Sequence, residues 1–209
     1  MKHVLLLGAT GTAGSAITEK LLSTTGHHVT LFARHAGDRF SDGPRMTVVN
    51  GDAENVEDLK KVMPGQDVVY CAISGDALPQ IAENIVAAMS ACGVNRLIFM
   101  GAVGIYNEIP EEMDGEDNLD NEPAQRPNRQ AADVVESSGL NYTVLRPGYL
   151  RPGDENDFVL TLKGEPAKGY ITTIPSLVKL AVELIGNEEL YSRENVSITR
   201  AWTPEQEQA

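Results

Sequence analysis

The chain has 209 residues, enough for one complete α/β domain and too few for two substantial ones. Its formal net charge at pH 7 is −13, and its Lys and Arg residues form no cluster, which argues against nucleic acid and against an anionic membrane surface as partners. No stretch approaches the ~20 apolar residues that a membrane span needs, and strand character starts within three residues of Met1, so no signal peptide is expected.

Strand and helix signals alternate along the chain. Val4–Leu7 reads as a buried strand, and Thr12–Leu22 carries Ala13, Ala16, Ile17, Leu21 and Leu22 at helical spacing. His28–Ala33 and Met46–Asn50 follow as strands, then Val56–Met63 as a short helix and Asp67–Ile73 as a fourth strand. Leu78–Cys92 predicts a long helix with Ile81, Ile85, Ala88, Met89 and Cys92 on one stripe, and Arg96–Met100 a fifth strand. Gln130–Ser138 is a helix that Gly139 is placed to stop, and Tyr142–Leu145 is a sixth strand. Apolar strands separated by helices predict a parallel sheet covered on both faces. Beyond Arg146 the pattern weakens, with one helix over Pro175–Ile185 and a strand over Tyr191–Ile198. The expectation is one domain, residues 1–150 forming the core and 151–209 a small cap over the substrate end, with a polar, frayed tail after Trp202. Cys71 and Cys92 stand in apolar surroundings and read as buried thiols of a reducing cytoplasm, so a cytoplasmic location is expected. All four histidines lie within the first 35 residues at no metal-ligand spacing, and no metal site is expected.

The run VLLLGATGTAGSAI places Gly8, Gly11 and Gly14 between the first strand and the first helix. That context is what turns a glycine triplet into a phosphate-binding motif. Gly8 permits the tight turn, Gly11 lets a pyrophosphate approach the backbone, and Gly14 lets the helix pack closely on the strand. The free N–H groups at the helix start favour an anion. The strand order expected for a doubly wound sheet with this loop is 3-2-1-4-5-6.

With Thr10 and Thr12 between the glycines, G-x-x-G-x-x-G resembles the short-chain dehydrogenase/reductase superfamily, in its extended and atypical branches. YTVLRPGYL around Arg146, Pro147 and Gly148 resembles a segment of NmrA-like and flavin/biliverdin reductase-like members. The two marks and the strand pattern between them span about residues 1 to 150. The resemblance implies a three-layer Rossmann fold and a nicotinamide dinucleotide held by Gly8, Thr10, Gly11, Thr12, Ala13 and Gly14. It adds Gly51, Asp52 and Ala53 at the adenine, Cys71, Ala72 and Ile73 along the ribose and pyrophosphate, and Gly101, Pro147 and Gly148 at the nicotinamide. Asp52 could equally cap the helix that starts near Asn55, and Arg146 could either bridge a buried carboxylate or meet substrate. Arg34 ends the second strand where an acid would favour NAD. A guanidinium there can fork onto a 2′-phosphate, with His35 or Arg39 helping, so NADP is preferred and NAD remains possible.

The superfamily's usual Ser, Tyr and Lys are missing. Gly101-Ala102 replaces the serine pair, and RPNRQAADVV offers no Tyr, with Asn128 at the lysine position. Tyr106 resembles the Tyr of an S-S-x-G-x-Y pattern and is the candidate proton donor; Ala102, Tyr106 and Tyr149 are the candidate substrate contacts. Losing a general acid costs about 10²- to 10⁴-fold, which a flavin or quinone tolerates and a plain ketone does not. An NADPH-dependent reductase of a small conjugated acceptor is therefore expected, the alternative being a non-catalytic NmrA-like sensor that binds NAD(P) and regulates a partner. A sugar-nucleotide epimerase needs the missing Tyr and Lys. The expected partner is a small-molecule substrate, with a monomer or homodimer as the assembly. Asn107–Glu122 holds eight carboxylates and no base at the mouth of the predicted site, as a solvated loop or a mobile lid.

Overall fold

The computed structural model describes residues 1–113 and 115–204. Asp114 of the acidic segment, and the end of the tail expected to be frayed, lie outside the described residues.

The glycine loop joins β1 (His3–Leu7) to α1 (Thr12–Thr24), and β2 (His28–Ala33) and β3 (Met46–Asn50) extend the sheet on one side. After α2 (Val56–Val62), the chain crosses to β4 (Val68–Cys71) on the other side of β1. From there α3 (Leu78–Cys92), β5 (Arg96–Met100), α4 (Arg126–Ser137) and β6 (Asn141–Pro147) continue outward. These six strands are parallel in the order 3-2-1-4-5-6, the doubly wound arrangement expected from the loop after β1. Register is direct: His3 pairs with His28 and Leu7 with Phe32 on one side, Val4 with Val68 and Leu7 with Cys71 on the other.

Successive strand residues point to opposite faces, which divides the core in two. Leu5 and Leu7 pack with Phe99, Val144 and residues of α2, α3 and α4 on one face. Val4 and Leu6 pack with Ile98, Leu145, α1 and α5 (Ile174–Gly186) on the other. The result is a three-layer α/β/α domain. No helix among the described residues is long and apolar enough to cross a membrane.

The C-terminal part corrects one expectation. Instead of capping the substrate end, it completes the sheet: β10 (Glu194–Thr199) pairs parallel with β6, and β8 (Val159–Leu162) adds antiparallel to β10 as the last strand. The reason is hydrophobic. Val196 and Ile198 are fully buried, and α5 packs against α1, so this segment buries core faces that residues 1–150 leave open. A small parallel ribbon of β7 (Tyr149–Arg151) and β9 (Ile171–Thr173) is the part that stands at the substrate end.

Candidate cofactor and substrate site

A crevice of about 470 Å³ runs along the carboxyl ends of β1, β2, β3 and β4, where the strand order reverses. Gly8 turns the chain there with φ +81°, and its carbonyl accepts the Gly11 N–H at 3.1 Å. A Cβ at Gly8 would press on the Ala72 carbonyl, and one at Gly14 would overlap the Gly8 carbonyl oxygen, so both positions need glycine. Gly11 differs: nothing in the protein crowds it, and it faces the crevice as the α1 N-cap. Among the described residues no acceptor meets the amides of Thr12, Ala13 or Gly14, and the first turn of α1 carries no acid. Such an end favours a phosphate.

The crevice brings together Gly8, Thr10, Gly11, Arg34, Gly51, Asp52, Ala53, Ala72 and Ile73. Arg34 and His35 are exposed at its lip, and Arg39 donates through Nη1 to the Thr10 carbonyl, bracing the glycine loop. Gly51 lies against the Phe32 ring, which leaves no room for a side chain. Asp52 does not cap α2. Its carboxylate accepts the Glu54 N–H at 3.0 Å, while Asn55 caps the helix by accepting from Glu57 N at 3.0 Å. The Asp52 turn falls three residues too early to serve the helix.

Sequence reasoning missed the far wall of the crevice, formed by Gly75, Asp76, Ala77 and Ile81 at the start of α3, together with Glu54. It also missed the anchor of that wall. Asn84 is buried and donates through Nδ2 to the carbonyls of Ala53 (3.1 Å) and Glu54 (2.9 Å), fastening the loop after β3 to α3. The available signal was an amide one turn after Ile81 on an apolar helix face.

Two expected contacts face elsewhere. Cys71 is fully buried in the core, its thiol pushed up to about 12 by burial, and it does not line the crevice. Gly101 spends its N–H on the Leu145 carbonyl at 2.9 Å and its Cα faces Val144, Ile105 and Arg146. Cys71 ends β4 with its side chain in the core, and Gly101 follows β5 and continues its pairing with β6.

A second hollow of about 150 Å³ lies at the end of β6, lined by Ala102, Pro147, Gly148 and Tyr149 with Val103, Asp117, Gln125 and Tyr170. Gly148 is pressed against the Tyr170 carbonyl, where a Cβ would overlap it, and donates its N–H to Thr172 Oγ1 at 2.8 Å. Gln125 Nε2 donates to the carbonyls of Val103 (3.2 Å) and Asp117 (3.3 Å), holding the loop after β5 over the hollow. Asn128 donates to Gln125 Oε1 at 3.0 Å, so the residue at the expected lysine position supports that loop.

Tyr106 is the main correction. It lines neither hollow. Its hydroxyl donates to Glu136 Oε1 (3.1 Å) and accepts from Asn195 Nδ2 (2.8 Å), and its ring lies among Arg129, Arg146 and Lys163. Burial first, then the neighbouring Glu136 carboxylate, push its phenol up, away from acid function. What draws it there is Arg146, fully buried on β6 and paired with the buried Glu108, whose other oxygen accepts the Tyr106 N–H at 2.9 Å. Of the two roles open to Arg146, the structure shows the buried ion pair.

Comparison with known proteins agrees with this geometry. A family model described as NAD(P)H-binding matches residues 8–188. A Rossmann-fold NAD(P)-binding family protein from Shigella flexneri is 35% identical, with 98% of each chain covered and a TM-score of 0.82. A short-chain dehydrogenase/reductase from Veillonella parvula, solved in complex with NADP, is 26% identical over 95% of this chain and 94% of that one, with a TM-score of 0.86. A curated 2-alkyl-3-oxoalkanoate reductase from Shewanella oneidensis is 33% identical over 112 residues, 47% of this chain and 28% of its own length. The chain thus spans less than half the length of the curated relatives it matches. A loop that needs glycine at Gly8 and Gly14, open helix amides beside it and a family model covering most of the chain have one reading: the protein belongs to the NAD(P)H-binding family of Rossmann-fold, short-chain dehydrogenase/reductase-like proteins.

Proposed function

We propose that the protein is an NADPH-dependent reductase that passes hydride to a small conjugated acceptor, a flavin or quinone in chemical class. The observation that carries this reading is the contrast between the two hollows. The crevice has the shape and open amides that suit a dinucleotide, while among the described residues the hollow at Pro147–Gly148 is lined by no Lys, His or Ser. The residues fit the cofactor: Gly8 and Gly14 permit the tight turn and the close helix packing that shape the loop, Gly11 leaves space for the pyrophosphate, the α1 amides are open to it, and Arg34 stands exposed at the lip for a 2′-phosphate. When bound, the nicotinamide supplies hydride. The protein supplies position and excludes water, with Pro147 and Gly148 forming the floor.

Side-by-side affinities for NADPH, NADP⁺, NADH and NAD⁺ test this directly. Phosphate-dependent binding that favours the reduced form, with turnover on flavins or quinones, supports the reductase. Indifference to reduction state without turnover supports the redox-sensor alternative, which the missing Ser, Tyr and Lys also favour. A charge-assisted bond is worth about 1.5–3 kcal/mol, so Arg34→Glu is expected to erase a ten- to hundred-fold preference for NADP, to within about a factor of two. An unchanged preference removes Arg34 from the site.

A further inference from the structure

The hollow at the end of β6 has a polarity that the reductase reading, on which this inference rests, does not by itself require. Tyr149 is half exposed, and its hydroxyl donates to Asp117 Oδ1 at 2.8 Å across the hollow. That bond consumes the only proton the phenol has. What these two side chains retain for a ligand is the lone pairs of Tyr149 Oη and the second oxygen of the Asp117 carboxylate, which meets no partner among the described residues, all of them acceptors. Gln125 cannot reverse this, because its amide is spent on Val103, Asp117 and Asn128.

Both partners sit on clamped backbone. Tyr149 pairs with Ile171 in the ribbon, and its N–H donates to the Tyr170 carbonyl at 2.8 Å. The Asp117 carbonyl is packed on Gly104, which adopts φ +94° and where a Cβ would overlap it. Among the described residues no Lys or Arg lines the hollow; Arg151 lies over the Tyr149 ring at 5.7 Å without joining the lining. The remaining walls are the Tyr149 and Tyr170 rings with Ala102, Val103 and Pro147. A space of about 150 Å³ with such walls takes one edge of a planar ring system.

We propose that Asp117 and Tyr149 are the specificity pair of this site: they accept a hydrogen bond from an N–H or O–H on the edge of an uncharged conjugated acceptor, and they exclude an acceptor that carries an anion on that edge. Burial of an unmet acceptor is what penalises the wrong ligand. The Tyr149 phenol stays protonated through neutral pH, since its bond to Asp117 and partial burial both raise it.

Three flavins grade the test: lumiflavin, with an N3–H donor; 3-methyllumiflavin, without it; and lumiflavin-3-acetate, with a carboxylate on the same edge. Their binding to the NADP⁺-loaded protein is read by quenching of flavin fluorescence. Lumiflavin is expected to bind about tenfold more tightly than the methyl analogue and about a hundredfold more tightly than the acetate. Asp117→Asn is expected to recover about tenfold for the acetate, and Tyr149→Phe to narrow the gap between lumiflavin and its methyl analogue, with NADP⁺ affinity checking that each variant is folded. The wild-type series stands even if a variant fails to fold. Equal affinities, tightest binding of the acetate, or no saturable binding of any probe overturns the pair. NADPH oxidation with lumiflavin is read separately: selective binding without turnover sinks the reductase and leaves the specificity pair standing.

Discussion

At the scale of single residues, Arg146 and Gly14 show how the site depends on groups that never touch a ligand. Arg146 is fully buried, its guanidinium lowered to about 10 by burial yet still charged at neutral pH, and Glu108 is its counter-charge. Removing one member of a buried pair strands the other, at a cost of about 3–5 kcal/mol. Arg146→Met is therefore expected to lower unfolding free energy in urea by about that amount, and Arg146→Met with Glu108→Leu to regain most of it. If the single variant unfolds like the wild type, Glu108 is not held as charged. For Gly14 two effects compete. Alanine favours a helix by about 1 kcal/mol over glycine, but here its Cβ would overlap the Gly8 carbonyl oxygen, and overpacking costs about 1–3 kcal/mol. The clash is expected to win, and Gly14→Ala to weaken NADPH binding at least tenfold, because the shift it forces falls on the glycine loop itself. Titration of nicotinamide fluorescence decides this; unchanged affinity would mean that α1 can slide without moving the loop.

At the scale of elements, Glu136 on α4 ties together parts far apart in sequence. It accepts from Lys163 Nζ (2.6 Å), which follows β8, from Asn195 Nδ2 (2.8 Å) on β10, and from the Tyr106 hydroxyl. Burial alone would raise its carboxyl, but the hydrogen bonds from Lys163 and Asn195 outweigh burial and hold it below the usual carboxylate range. A depressed acid stabilises the fold above its unfolded pKa, and that contribution fades as pH falls through the folded value. Wild-type unfolding free energy should then drop below about pH 4.5 more steeply than that of Glu136→Gln, and a parallel pair of acid titrations would remove Glu136 from the account. The same tie explains what could and could not be read in the sequence. Strands β1 to β6 and the glycine loop were legible because each rests on local pattern: apolar runs, helical spacing, glycines between a strand and a helix. Strands β7, β8 and β9 have three or four residues and are held by partners, not by propensity. Helix α4 begins at Arg126, four residues before the apolar pattern does, with Pro127 in its first turn. The direction of Tyr106 could not be foreseen, since it depends on Glu108 finding Arg146 38 positions along the chain.

At the scale of the whole molecule, the net charge of −13 sets how a polyanionic cofactor arrives. At the crevice lip the fixed cation is Arg34, whereas along the chain 30 Asp and Glu outnumber 17 Lys and Arg. The Debye length is about 30 Å at 0.01 M salt and about 10 Å at 0.1 M. At low salt an approaching dinucleotide therefore feels the repulsive whole; at higher salt it feels mainly the lip. The association rate for NADPH is expected to rise about two- to fivefold as salt increases from 10 to 200 mM, the reverse of electrostatic steering between opposite charges. Dissociation should quicken over the same range, because screening weakens any contact of Arg34 with a phosphate. Stopped-flow fluorescence separates the two rates, and the chain's single tryptophan, Trp202, packs in the cluster with Val103 and Tyr170 that lines the second hollow. An association rate that falls with salt would show that the lip, and not the acidic surface, governs capture. Arg34→Glu replaces the local attraction by repulsion and should slow association at every salt concentration, most at the lowest, where the charge at position 34 is least screened.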